Sequence, residues 1–189
     1  MSTNGEIYRT GRDALTEDEV REVLRFTSSL RDHILLRLAV TTGIRREDLI
    51  GIERSGVNLE TGEIQFYEAK KRRQHLVRVS GETLEWLRRY ANSLLGDSRY
   101  LFPSSHRGVK HLDGKTAWNV LQRALRLAGL HPRPFHALRA TCVKLAQRRG
   151  WSPEQVSELT GDTIRVIQQH YATPSHDEMT EVVREKPLL

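Results

Sequence analysis

A chain of 189 residues can bury a substantial core in one domain, and 38% apolar with 29% charged content excludes a disordered polymer. No run of about 18 apolar residues suggests a membrane span, and the single cysteine, Cys142, excludes a disulfide framework and fits a reducing, cytoplasmic setting. The net charge of +6 is uneven: from Gln65 to Arg149 there are 18 Lys and Arg against 5 Asp and Glu, and elsewhere 12 against 19. A basic middle between acidic ends is the footprint of phosphate binding, with a solvated basic surface as the bland alternative.

In chain order, the first fifteen residues are polar and expected to be loose. Thr16 and Glu19 form a capping box for a helix reaching about Ser29, with Val20, Val23, Leu24 and Thr27 at helical spacing. Leu30 to Thr42, with Ile34, Leu35, Leu38 and Ala39, predicts a more buried helix that Gly43 ends. A short helix over Arg46 to Ile52 follows. The period then changes: Val57, Leu59, Ile64, Phe66, Leu76, Val77 and Val79 lie in short β-prone runs. A turn at Glu60-Thr61-Gly62 and a basic connection from Lys70 to Gln74 predict a small antiparallel three-stranded sheet with a cationic hairpin tip.

Helical patterning returns from Gly81 to Leu95, carried by Leu84, Leu87, Ala91 and Leu94. Asp113 can cap a helix from Gly114 to Ala128, ended by Gly129. Pro132 and Pro134 interrupt the chain before a helix from Phe135 to Arg149. Ser152-Pro153-Glu154-Gln155 is a second capping box, with proline at the first helical position. Its helix runs to about Thr160, Gly161 breaks it, and Thr163 to Ala172 forms another. A last one is expected over His176 to Glu185. The fold class is therefore α+β, mostly helical with one small sheet, in a single domain spanning 1–189 without an internal boundary.

Four segments can carry chemistry. In Thr42-Gly43-Ile44-Arg45-Arg46-Glu47-Asp48-Leu49, an arginine sits at a helix start, where free N–H groups favour anions and the guanidinium can grip a phosphate in a two-pronged way. The competing expectation is a surface arginine paired with Asp48 or Glu47. Lys70-Lys71-Arg72-Arg73 is either a nonspecific basic tip or a strand tip reaching a DNA groove, with one lysine donating to a leaving oxygen. His136 and Arg139 are three apart, so a helix presents both on one face near its N-terminus, a combination suited to a phosphoryl centre. The last segment ends in Gln168-Gln169-His170-Tyr171. An isolated tyrosine is ordinarily a core-edge residue, and its phenol attacks only where cations stabilise the phenolate.

The order Arg45, a hairpin lysine, His136-Ala137-Leu138-Arg139 with Thr141, Leu159-Thr160-Gly161, and Tyr171 resembles the tyrosine recombinase family, which includes phage integrases, over about Leu15 to Thr173. The resemblance implies that catalytic-domain fold and DNA strand cleavage and rejoining through a 3′-phosphotyrosyl intermediate. It implies Arg45 and Arg139 as a phosphate clamp, Lys70 as general acid with Lys71 as fallback, His136 assisting proton transfer, and Tyr171 as nucleophile. Lys71, Arg72, Arg73 and Lys144 are candidate DNA contacts. No metal, nucleotide or other cofactor is required by that chemistry. The partner expected is double-stranded DNA in the nucleoid, bound as a homo-tetramer, with a monomer in free solution left open and no membrane association.

Three departures stand out. Family members place His or Trp after the glycine corresponding to Gly161, whereas this chain has Asp162. An ionised carboxylate accepts hydrogen bonds only and repels phosphate. It could turn away and orient an arginine, be protonated in the complex, or leave a neighbour such as Thr163 to replace the donor. Ala140 stands where a His often follows the arginine. A separate DNA-clamping domain before the catalytic one is not expected in this chain. The tail after Pro174 could dock on a neighbouring subunit through Val182, Val183, Leu188 and Leu189, or fold on its own domain. Beside the active recombinase stand two alternatives, a DNA-binding module that has lost catalysis and a type IB topoisomerase-like enzyme.

Overall fold

The computed structural model describes residues 13–104, 110–170 and 183–187. Tyr171, the first twelve residues and most of the expected last helix and tail lie outside the described residues. Helix α1 (Glu17–Arg25) opens with the expected capping box of Thr16 and Glu19. It ends earlier than its apolar spacing predicts because the Thr27 hydroxyl donates to the Leu24 carbonyl and Ser29 caps a new helix, its hydroxyl accepting the Asp32 N–H at 3.1 Å. That helix, α2 (Leu30–Thr42), buries Ile34, Leu35, Leu36, Leu38, Ala39 and Val40. Apolar residues on nearly every side mark a helix inside the fold, and α2 packs against α4 and α6 and also meets α1, α3 and α5.

Helix α3 (Arg46–Ile50) leads into a three-stranded antiparallel sheet of β1 (Val57–Asn58), β2 (Glu63–Glu68) and β3 (Arg73–Arg78), in that spatial order. Strand alternation puts Ile64, Phe66 and Val77 on the buried face. The register pairs Phe66 with His75 and Glu68 with Arg73, so two polar residues, Glu68 and His75, continue the inward face at the hairpin end. The turn is Ala69 to Arg72, shorter than the expected connection from Lys70 to Gln74: Arg73 and Gln74 belong to β3. The Lys71 N–H donates to the Glu68 carbonyl at 3.1 Å, and Arg72 closes the loop in the left-handed region with φ 52.

Beyond the sheet lie α4 (Gly81–Ser93), α5 (Gly114–Leu127), α6 (His136–Arg148), α7 (Pro153–Thr160) and α8 (Ile164–His170). Asp113 caps α5, and the Ser152–Gln155 capping box opens α7 with Pro153 in its first turn. One large apolar cluster joins α1 to α6 and the sheet. A smaller one, Ala140, Val143, Ala146, Val156 and Ile167, binds α6, α7 and α8 together. Burying each such branched side chain contributes about 1.5–3 kcal/mol. Among the described residues, no helix is long and apolar enough to cross a membrane.

Candidate active site

The site forms where three chain reversals meet. The first is Gly43, which ends α2 with φ 65 and sends the chain into α3, so that Arg45 becomes the N-cap of α3. A Cβ on Gly43 would lie 3.0 Å from Thr160 Cγ2 and 3.3 Å from Cys142 Sγ, so close packing against α6 and α7 demands glycine as much as the backbone angle does. The Gly43 carbonyl faces α6 and accepts a hydrogen bond from Arg139 Nη1.

The second reversal is Gly161, with φ 73, ending α7 and delivering Asp162 beside both arginines. Arg139 is only 3% exposed. It donates from Nε to Asp162 Oδ2 at 2.9 Å and from Nη2 to the Thr160 carbonyl at 2.8 Å, and Nη2 also lies 2.6 Å from Asp162 Oδ1. Arg45 reaches the same carboxylate, Nη2 to Oδ1 at 2.7 Å. Asp162 is thus the bridge between the two guanidiniums, and it faces both arginines rather than turning away from the site. The turn is fixed by the Asp162 N–H on Thr160 Oγ1 and the Ser157 hydroxyl on the Asp162 carbonyl.

The third is the β2–β3 hairpin. Arg45 pairs not with Asp48 or Glu47 but with Glu68, through Nη1 and Oε1. Glu68 Oε2 accepts from Arg73 Nε at 3.1 Å. Burial by itself would push the Glu68 carboxyl up; the hydrogen bonds from Arg45 and Arg73 outweigh it and hold the group below the usual glutamate value. Asp48 on α3 accepts the Ala69 N–H at 3.1 Å, tying the hairpin to the helix that follows Arg45. Burial raises the Asp48 carboxyl, partly offset by that N–H.

These elements border an open cleft of about 590 Å³ lined by Arg45, Asp48, Lys70, Trp118, His136 and Arg139, among others. Lys70 is exposed in the hairpin turn and His136 exposed as the first residue of α6. The spacing of His136 and Arg139 therefore brings both to one cavity, as expected. Lys71 is exposed and donates to the Gly161 carbonyl, Arg72 is exposed at the tip, and Arg73 is engaged by Glu68. Lys144, half-buried on α6, lies about 12 Å further along the helix axis than His136 and does not line the cleft. Sequence reasoning missed Glu68, His75, Asp48 and Trp118. The signal for Glu68 and His75 was present: each stands at an inward position of an alternating strand, where an apolar residue is the rule. Among the described residues, no group of His, Cys, Asp and Glu is arranged to hold a metal ion.

Fold and site bring two arginines onto one carboxylate, with a lysine and a histidine lining the same cleft. The sequence model of the phage integrase family matches residues 13–178, and the chain belongs to that family. Tyrosine recombinase XerA of Pyrococcus furiosus is 28% identical over 189 residues, covering 98% of this chain and 66% of the relative. Among solved structures, a XerA recombinase crystal structure superposes with a TM-score of 0.80 at 21% identity, covering 93% of this chain and 66% of that one. The catalytic domain of bacteriophage HP1 integrase gives 0.61 at 21% identity, covering 93% and 95%. These structures share the fold: mostly helical, with one small antiparallel sheet. The chain spans about two thirds of the length of the first curated relatives it matches.

Proposed function

We propose that the chain is the catalytic part of a site-specific DNA recombinase that cleaves and rejoins duplex DNA through a 3′-phosphotyrosyl link. The observation that carries this is the convergence of Arg45 and Arg139 on one anionic group, in a cleft that also receives Lys70 and His136. Two guanidinium forks aimed at a single point suit a phosphodiester whose charge rises in the transition state. In the reaction, the Tyr171 oxygen attacks phosphorus as its proton departs with help from His136. The bond from phosphorus to the 5′ oxygen breaks, and Lys70 protonates that oxygen. Rejoining is the reverse. The covalent link conserves the energy of the cut bond, so no nucleotide is consumed.

Relatives of this fold have been solved on DNA, including a lambda integrase tetramer on a Holliday junction. That precedent, with the basic middle of the chain, supports duplex DNA as partner, a tetramer as the active assembly, and a nucleoid-associated cytoplasmic location. Lys71, Arg72 and Arg73 are assigned to backbone phosphates near the hairpin. Lys144, away from the cleft, would contact DNA only at a flanking position.

A second reading, a module that binds DNA without cutting it, is favoured by one feature: Asp162 already occupies the arginine clamp. A nicked, labelled duplex carrying a candidate site separates the two. Cleavage there loses the short strand and traps the protein on DNA. An adduct that survives denaturation and vanishes in Tyr171→Phe is expected; salt-dependent binding with no adduct on any substrate would establish the binding module instead.

A further inference from the structure

The Glu68 carboxylate is the most enclosed charge in the site, 1% exposed, and the chemistry above gives it no role. Its two oxygens face different partners: Oε1 takes Arg45, Oε2 takes Arg73. Beneath it lies His75, with Nδ1 3.8 Å from Oε2 and Nε2 2.9 Å from the Glu158 carbonyl on α7. This pair forms the floor on which the Gly161 turn rests. A Cβ on Gly161 would come within 2.9 Å of His75 Cε1 and 3.2 Å of Glu68 Oε1, so the turn carrying Asp162 sits directly on the hairpin. The hairpin, in turn, reaches over to it, Lys71 donating to the Gly161 carbonyl. Glu68 also stands two residues before Lys70, with only Ala69, anchored by Asp48, between them.

We infer that Glu68 is a positioning residue: from below, it sets the orientation of Arg45 and joins the hairpin that carries Lys70 to the turn that carries Asp162. The inference rests on the recombinase reading for its catalytic consequence, but not for the geometry. A carboxylate is needed because both oxygens accept. An amide of the same shape has one accepting oxygen and an N–H₂ group, so it can serve Arg45 or Arg73 but meets the other with a donor. Glu68 also offsets part of the Arg45 charge, so it should weaken phosphate attraction while it improves alignment. Those two effects pull binding and turnover in opposite directions, which a purely structural residue would not do.

The test compares wild type, Glu68→Gln and Glu68→Asp on the nicked duplex, reading duplex affinity and single-turnover adduct formation separately. Glu68→Gln should bind about three- to tenfold more tightly, because one nearby negative charge is gone, and should cleave about a hundredfold more slowly, because the clamp is misaligned. Glu68→Asp keeps the charge but withdraws it, so cleavage falls without the gain in affinity. The Arg45 guanidinium N–H signals in an NMR spectrum, assigned with Arg45→Lys, should exchange slowly in wild type and broaden in Glu68→Gln. Parallel loss of affinity and cleavage, or unchanged Arg45 signals, would overturn the inference. A wild-type protein that makes no adduct would instead defeat the recombinase reading, while the Arg45 signals would still decide the positioning role.

Discussion

Asp162 illustrates how one side chain changes the character of a site without changing its frame. In the structure it is a bridging acceptor between Arg45 and the buried Arg139. Removing one member of a buried charge pair leaves the other uncompensated, which typically costs about 3–5 kcal/mol. The carbonyls of Gly43 and Thr160 still accept from Arg139, so Asp162→Ala should sit near the low end, at about 3 kcal/mol by urea denaturation. If the bridge stands in the phosphate position, an external oxyanion should replace it. Sulfate should therefore raise the melting temperature of Asp162→Ala by more than that of the wild type, since a ligand stabilises only the state it binds. Equal sulfate effects on both proteins would mean that the carboxylate and the phosphate occupy different places.

At the scale of elements, α6, which carries Arg139, contributes to both apolar clusters, whereas α8 is held by the small one. Ile167 is fully buried and is the α8 contribution to that small cluster. Ile167→Ala should cost about 2–5 kcal/mol locally. Hydrogen exchange should then quicken in α7 and α8 while α2 amides stay protected, and adduct formation should fall with duplex affinity retained. A uniform increase in exchange across the fold would show that the small cluster is not an independent unit. Element order, caps and the sheet were legible in the sequence because each rests on local chemistry: Thr16 with Glu19, Ser152 with Gln155, Gly43 and Gly161 as helix stops. The convergence of Arg45 and Arg139 was legible only through their order along the chain, since neither residue carries a local sign of the other. Of the partners of those arginines, Asp162 was foreseen only as a residue that could orient one of them, and Glu68 was not legible. Glu68 is 23 residues from Arg45 and Asp162 is 117, separations that only the packed fold closes.

For the whole molecule, the basic span from Gln65 to Arg149 includes β3, α4, α5 and α6, and of its cations Lys70 and Arg139 line the cleft. Charge alone does not say which cations are available to DNA; their partners do. Lys71 donates to a neutral carbonyl, whereas Arg73 is paired with the Glu68 carboxylate. Arg72 is exposed at the tip in a left-handed conformation. Each cation that displaces a counterion from duplex DNA adds about 0.9 to the steepness of log affinity against log salt. Arg72→Ala should therefore flatten that slope by about one contact, whereas Arg73→Ala should flatten it by less, because Glu68 offsets part of that guanidinium's charge. Measuring duplex affinity across a salt series for both variants decides the point. Equal slopes in the two would mean that the Glu68–Arg73 pair opens when DNA arrives, and that the hairpin recruits its paired cation as readily as its free-standing one.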